Sequence, residues 1–220
     1  MHLLLDLDGT LIDSSPGIFH SFSLACLSLG LKTPTYDSFS SLIGPPVQHI
    51  AKSLFPELDT NSLESFRKIF RDDYDHYSYR NANWYPGVID TLKVLASEPD
   101  LHIIVITNKP TRPSQDLIKS VGILPIFIDI YGVDYRLVHA TGPIFASKSE
   151  ALSYVLTSTP IHASQSLYLG DTPSDQEACS KCQVPFVAAL YGFHQWDIAE
   201  LPAYSLECFG DIYAVLEKYR

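Results

Sequence analysis

Basic side chains are scarce in this chain: 15 Lys and Arg stand against 25 Asp and Glu, for a net charge of −10. Non-specific attraction to nucleic acid or to an anionic membrane surface rests on Lys and Arg, so neither is an expected partner. The same deficit bears on anionic substrates. Any phosphate site must be a local arrangement of a metal, a lysine and backbone N–H groups. Cysteine is also sparse, with Cys26, Cys179, Cys182 and Cys208 too few for a disulfide scaffold. Cys179 and Cys182 have the spacing of half a zinc site, but there is no second pair to complete four ligands, so they read as structural. The eight histidines include no His-x-x-x-His or His-Glu-x-x-His pattern, which argues against a zinc hydrolase. Long apolar runs are missing too. None approaches the roughly 18 residues of a membrane span, and Leu3–Leu5 is too short for a signal-peptide core. A soluble, cytoplasmic protein is expected.

What is present suits a well-filled core, since 46% of the 220 residues are apolar and 18% are charged. Residues 3–7 read as a short buried strand ended by Asp8-Gly9-Thr10. From Pro16 the pattern turns helical, with Ile18, Phe22, Ala25, Cys26 and Leu29 on one face and Gly30 as the stop. Two further amphipathic stretches follow, around Val47–Leu54 and Leu63–Phe70, so residues 14–80 read as all helical. After Trp84-Tyr85-Pro86-Gly87 the chain alternates. Apolar β-rich segments at 102–107, 127–131, 166–170 and 185–189 are separated by helical patterns at 117–121, 152–156 and 175–182. That alternation predicts an α/β fold with a doubly wound, mainly parallel sheet. The expected domains are a core of residues 1–13 and 81–220 and a small all-helical unit, 14–80, inserted after the first strand.

Polar residues gather where ligands bind in such sheets, beyond the carboxyl ends of strands. Asp6 and Asp8 end the first strand, Thr107 and Asn108 the second, and Asp171 the segment Leu167–Gly170, with Asp175 four residues on. Lys148 opens the helical run 148–156 and is within reach of the same pocket. Several converging carboxylates raise one another's pKa unless a cation joins them, and hard oxygen ligands suit Mg²⁺. A carboxylate can attack phosphorus, a second can carry the proton, and a hydroxyl, an amide and an ammonium can hold the phosphoryl oxygens. The bland alternatives are turn or helix-capping roles for the aspartates and a surface position for Lys148.

Asp6-Leu-Asp-Gly-Thr-Leu-Ile-Asp-Ser14, Ile106-Thr-Asn-Lys-Pro110, Lys148 and Leu169-Gly-Asp-Thr-Pro-Ser-Asp175 resemble, in order, the four signature motifs of the haloacid dehalogenase superfamily. The resemblance covers essentially the whole chain. It implies a Rossmann-like core and a Mg²⁺-dependent phosphatase that hydrolyses a small phosphomonoester through an aspartyl-phosphate. Asp6 would be the nucleophile and a metal ligand. Asp8 would be the general acid/base, its carbonyl also on the metal. Thr107, Asn108 and Lys148 would hold the phosphoryl group, Asp171 would ligate Mg²⁺, and Asp175 would ligate it or orient its waters. The insert resembles the α-helical cap of the phosphoglycolate-phosphatase-like branch, in which Ile43-Gly44-Pro45-Pro46 matches a substrate-facing loop; a stiff turn between helices is the other reading of Gly44. The expected partner is a small phosphorylated metabolite, such as phosphoglycolate, a sugar phosphate or a nucleotide, bound by a monomer or homodimer.

Two other functions share this motif set. A β-phosphoglucomutase-type mutase resembles its relatives in carrying a His early in the cap, a position occupied here by Ile18, with His20 out of register. A non-catalytic binding or regulatory protein on the same fold would be expected to lack an aspartate, and all are retained. The chain departs from the family around its lysine, where Phe145-Ala-Ser-Lys148 replaces a proline-rich Lys-Pro text, which leaves Lys109 as the other candidate. It departs again after Asp175, where Cys182-Gln183 replaces the usual Ala-Gly and removes an easy helix C-cap.

Overall fold

A computed structural model describes residues 1–133, 144–158 and 160–219; the stretch of sequence leading up to Phe145 lies mostly outside them. By internal contacts the chain divides into two compact units, Met1–Asp13 with Trp84–Arg220, and Ser14–Asn83.

The first unit begins with β1 (His2–Leu5), wholly buried, and β2 (Ile12–Asp13). The second unit is helical throughout: α1 (Ser15–Ser28), α2 (Tyr36–Ser40), α3 (Val47–Leu54) and α4 (Thr60–Tyr74), with a 3₁₀ turn at Ser78–Arg80. Local chemistry accounts for the breaks. Thr35 and Asp59 accept backbone N–H bonds at the starts of α2 and α4. Gly30, at φ 69°, follows the end of α1. The core of this unit is aromatic, with the Phe22 ring 4.5 Å from Phe39 and 4.8 Å from Phe66. Asp73 Oδ2 accepts from both Ser21 Oγ and Ser78 Oγ at 2.6 Å, which ties α1 to the end of the unit. Of the tyrosines in this region, Tyr74 and Tyr79 are buried, whereas Tyr77 is exposed.

After β3 (Asn83–Trp84), which pairs with β2, the first unit resumes with α5 (Val88–Leu95), β4 (His102–Thr107), α6 (Thr111–Ser120) and β5 (Phe127–Gly132). Then come α7 (Lys148–Ser158), β6 (Ser166–Gly170), α8 (Pro173–Cys182), β7 (Phe186–Ala189), β8 (Ser205–Leu206) and α9 (Ile212–Tyr219). Six strands form one sheet in the order β5-β4-β1-β6-β7-β8, and every pairing is parallel. The chain runs outward from β1 through β4 to β5, then crosses to β6 and runs outward the other way. Right-handed crossovers therefore place α5 and α6 on one face and α7 and α8 on the other. Leu4, Ile104, Ile106 and Tyr168 face the second pair, packed on Ala151, Leu152 and Val155 of α7 and Cys179 of α8. The alternate residues Leu3, Leu5, Ile103, Val105, Leu167 and Leu169 are equally buried. Burial on both faces explains why these strands read as unbroken apolar runs. The winding reverses between β1 and β6, so the carboxyl end of β1 lies at the switch point where such sheets bind ligands.

β1 is shorter than the sequence suggests, ending at Leu5 where its pairing with Leu169 ends. Leu7 instead anchors a tight loop, its carbonyl accepting from the N–H groups of Thr10, Leu11 and Ile12.

Candidate active site

The site begins where β1 stops. Asp6 N donates to Leu169 O (2.9 Å), which fixes the backbone, and Asp6 Oδ1 accepts from Leu7 N (2.7 Å). The following loop turns at Gly9, φ 79°, a conformation that favours glycine. A Cβ there would also lie 2.1 Å from Asp171 Oδ2, so the loop packs directly on the carboxylate at the end of β6. Gly170 leaves room for Asp175 in the same way, a Cβ there falling 2.6 Å from its Cγ.

Lys148, the first residue of α7, is 4% exposed. Its Nζ donates to Asp6 Oδ2 at 2.7 Å and to Asp175 Oδ1, and it lies 5.9 Å from the centre of the Tyr168 ring. A helix N-terminus disfavours a cation; here two buried carboxylates outweigh it. Asp175 is shared: its Oδ2 accepts from Thr172 Oγ1 (2.7 Å) and Thr172 N (3.0 Å). Thr172, rather than either aspartate, is thus the N-cap of α8, and Asp175 completes the capping box while it also holds Lys148.

Asp171 is fully buried. Its Oδ2 accepts from Phe193 N (2.9 Å), while its Oδ1 has no hydrogen-bond partner among the described residues. Oxygens from Asp6, Asp171 and Asp175 lie within 4.8 Å of one another. Burial pushes the Asp6 carboxyl up to about 6, with Lys148 opposing the rise and Asp175 adding to it. Burial, then the charges of Asp175 and Asp6, carry Asp171 well above the usual carboxylate range. For Lys148 burial works against the charge, but Asp175 and Asp6 more than offset it and raise its pKa. Three buried carboxylates against one ammonium, with an unpaired oxygen among them, make a donor set that fits a hard divalent cation.

The second lysine takes a different partner. Lys109 Nζ lies 3.1 and 3.4 Å from the two carboxylate oxygens of Asp8. Its backbone N–H donates to Oγ1 of the buried Thr107 at 3.2 Å. Asn108, between them, is exposed. Lys148 and Lys109 are therefore not alternatives for one place: the first joins Asp6 to Asp175 and the second holds Asp8. Gly44 belongs to the helical unit, at φ 138° in the bend before α3, and a Cβ there would meet nothing within 4 Å.

The segment after β7 escaped sequence reasoning. Phe193 binds Asp171, Tyr191 Oη donates to Thr10 O (2.9 Å), and a Cβ on Gly192 would fall 2.2 Å from Asp171 Cβ and 2.5 Å from Gly9 O. The one signal was a glycine just beyond the carboxyl end of another strand.

Comparison with known proteins places these features in a family. The profile of the haloacid dehalogenase-like hydrolases matches residues 3–189. A phosphoglycolate phosphatase of Pseudomonas fluorescens is 34% identical over 206 residues, covering 90% of this chain and 72% of that protein. One from Photobacterium profundum is 27% identical, covering 87% and 84%. A haloacid dehalogenase-like family hydrolase of Streptococcus pneumoniae superposes with a TM-score of 0.81 at 26% identity, over 100% of this chain and 98% of that one.

Proposed function

Given that the chain belongs to the haloacid dehalogenase-like hydrolases and is a phosphatase among them, we propose that it hydrolyses a small phosphomonoester, of the phosphoglycolate kind, with Mg²⁺ and through phosphorylation of Asp6. The observation that carries this reading is the placement of Asp6 at the switch point of the sheet, on Lys148 and beside two further buried carboxylates.

Asp6, Asp171 and the Asp8 carbonyl would hold the metal, and Asp175, whose oxygen lies in the same carboxylate group, would ligate it or orient its waters. Bound there, Mg²⁺ supplies positive charge to the phosphoryl oxygens. Lys148 holds the Asp6 carboxylate in place and offsets charge as the phosphoryl group arrives. Asp6 forms a bond to phosphorus while the ester P–O bond breaks. The leaving oxygen takes the electron pair and a proton from Asp8, which must enter this step as the protonated acid. Asp8, now a carboxylate, accepts a proton from the water that hydrolyses the aspartyl-phosphate. Thr107 and Asn108 supply a hydroxyl and an amide to the phosphoryl oxygens. The burial of Asp6, Thr107 and Lys148 keeps bulk water from the reacting atoms. The insert is assigned the cap's task of selecting the leaving group, with Gly44 in its substrate loop.

Phosphate release from a panel of phosphomonoesters that includes phosphoglycolate tests the proposal. Wild type with Mg²⁺ should turn over one class of ester, and Asp6→Asn should reduce kcat by more than about a thousandfold. A wild type no faster than Asp6→Asn on every ester would sink the reading.

A further inference from the structure

We propose that Lys109 is a positioning residue that holds the Asp8 carboxyl in line for proton transfer, a role separate from phosphate binding. The proposal rests on Asp8 being the general acid/base.

Three observations carry it. The first is the asymmetry of the pair. The Lys109 side chain is 1% exposed while that of Asp8 is 24% exposed, so the lysine is the fixed member and the carboxylate the one that solvent would otherwise draw away. Both carboxylate oxygens lie within 3.4 Å of Nζ, which limits rotation of the carboxyl group. The second is how firmly the lysine's backbone is set. Lys109 N donates to Thr107 Oγ1, Val133 N donates to Thr107 O, and Gly132 N donates to Thr111 Oγ1. A Cβ on Gly132 would fall 2.4 Å from Lys109 O and 2.3 Å from Thr111 N, so the end of β5 is pressed against this loop and only glycine fits. The third is the division between the lysines. Lys148 already engages Asp6 and Asp175, and among the described residues no ion pair links it to Asp8. Asp8 depends on Lys109 for its ion pair across the sheet end.

The consequence concerns the leaving group. An alkoxide must be protonated as the P–O bond breaks, whereas dinitrophenolate leaves without a proton. Misplacing Asp8 should therefore slow the first transfer from an alkyl phosphate and spare that from dinitrophenyl phosphate. Lys109→Met should lower kcat/KM for an alkyl phosphate by roughly tenfold to a hundredfold, part of the span general acid catalysis covers. It should leave kcat/KM for dinitrophenyl phosphate within about threefold, while lowering kcat for that ester because dephosphorylation still needs Asp8 as base. Lys109→Arg, which keeps the charge, should restore most of the difference between the two esters. Asp8→Asn is run alongside.

Equal losses on both esters, accompanied by weaker inhibition by inorganic phosphate, would make Lys109 a phosphate ligand and overturn the proposal. Equal losses that track a fall in Tm would make it structural and overturn it too. If Asp8→Asn discriminates between the esters and Lys109→Met does not, the positioning role alone fails. If Asp8→Asn itself does not discriminate, the acid/base reading of Asp8 fails, and the role of Lys109 with it.

Discussion

The two ends of the parallel sheet bury polar groups in opposite ways. At the amino end, His2 on β1 and His102 on β4 sit side by side, His102 Nδ1 3.4 Å from His2 Nε2 and the rings 5.2 Å apart. Burial, and then the nearby N-terminal ammonium, lower the His2 pKa, which favours the neutral form of that ring. At the carboxyl end of the same sheet, Asp6, Asp171 and Asp175 are gathered with one lysine. Burying unpaired charge is far more costly than burying a neutral ring. Such an arrangement at one end only is what the proposed cation site at Asp6, Asp171 and Asp175 requires.

That contrast can be broken most sharply at Asp171, whose unpaired Oδ1 touches neither lysine. Asp171→Asn removes a desolvated carboxyl group without removing an ion pair. The metal-free variant should be more stable than metal-free wild type by about 1–3 kcal/mol, the cost of an unsatisfied buried polar group. Its Tm should no longer respond to Mg²⁺, and its phosphatase activity should fall by at least about a hundredfold. Denaturant melts with and without Mg²⁺ read both effects. A variant less stable than wild type without metal would mean that the carboxylate is structurally satisfied.

A smaller effect sharpens the same contrast through pH. The folded pKa of Asp6 is raised from its ordinary value near 4 to about 6, and that of Asp171 is raised as well. Between those values the folded, metal-free protein keeps protons that the unfolded chain has lost. The stability contributed by Asp6 is therefore fully present below about 4 and is lost as pH rises through about 6, and the raised pKa of Asp171 acts in the same direction. A divalent cation bound as proposed would take the place of those protons. The Mg²⁺-induced rise in stability should accordingly be small at pH 5 and reach about 2.7 kcal/mol near pH 8 when the metal is at a hundred times its Kd. Thermal shifts at the two pH values measure it, and a rise independent of pH would contradict the assignment.

Much of this was legible because it is written in short-range pattern. The unbroken apolar runs at Leu3–Leu5, Ile103–Ile106 and Leu167–Leu169 announce strands buried on both faces, and the polar residues that end them mark the candidate site. Lys148 could be found in sequence but not placed, since its role depends on packing against Asp6, 142 positions away. The pairing of Lys109 with Asp8 was not legible at all, because 101 positions separate them and only the register of β1 against β4 brings them together. The brace after β7 was missed for a related reason: Phe193 acts through its backbone N–H, which has no residue signature. Beyond β7, the two-residue strand β8 is too short to show a period.

The amino end offers the mildest test. α8 returns there after leaving Asp171, and it closes on Gln183, at φ 56° and ψ 33°, the one non-glycine residue at positive φ among those described. The Cys182-Gln183 text lacks the glycine that usually ends such a helix, yet the chain makes the left-handed turn regardless. Val184 N donates to Cys179 O at 3.0 Å and Gln183 N to Ser180 O at 3.3 Å, so the capping bonds form with the wrong residue type. Buried neighbours account for it: Cys179 and Val184 both belong to the core cluster against α7, and this turn keeps them there. The strain of a side chain in this conformation is about 1 kcal/mol. Gln183→Gly should therefore stabilise the protein by about 0.5–1 kcal/mol, a rise in Tm of roughly 1–4 °C for a chain of this size. It should leave kcat and KM unchanged, since the substitution lies at the opposite end of α8 from Asp175. A gain in stability accompanied by lost activity would show that α8 transmits strain to the carboxylates, and the two ends of the sheet could then no longer be treated as independent.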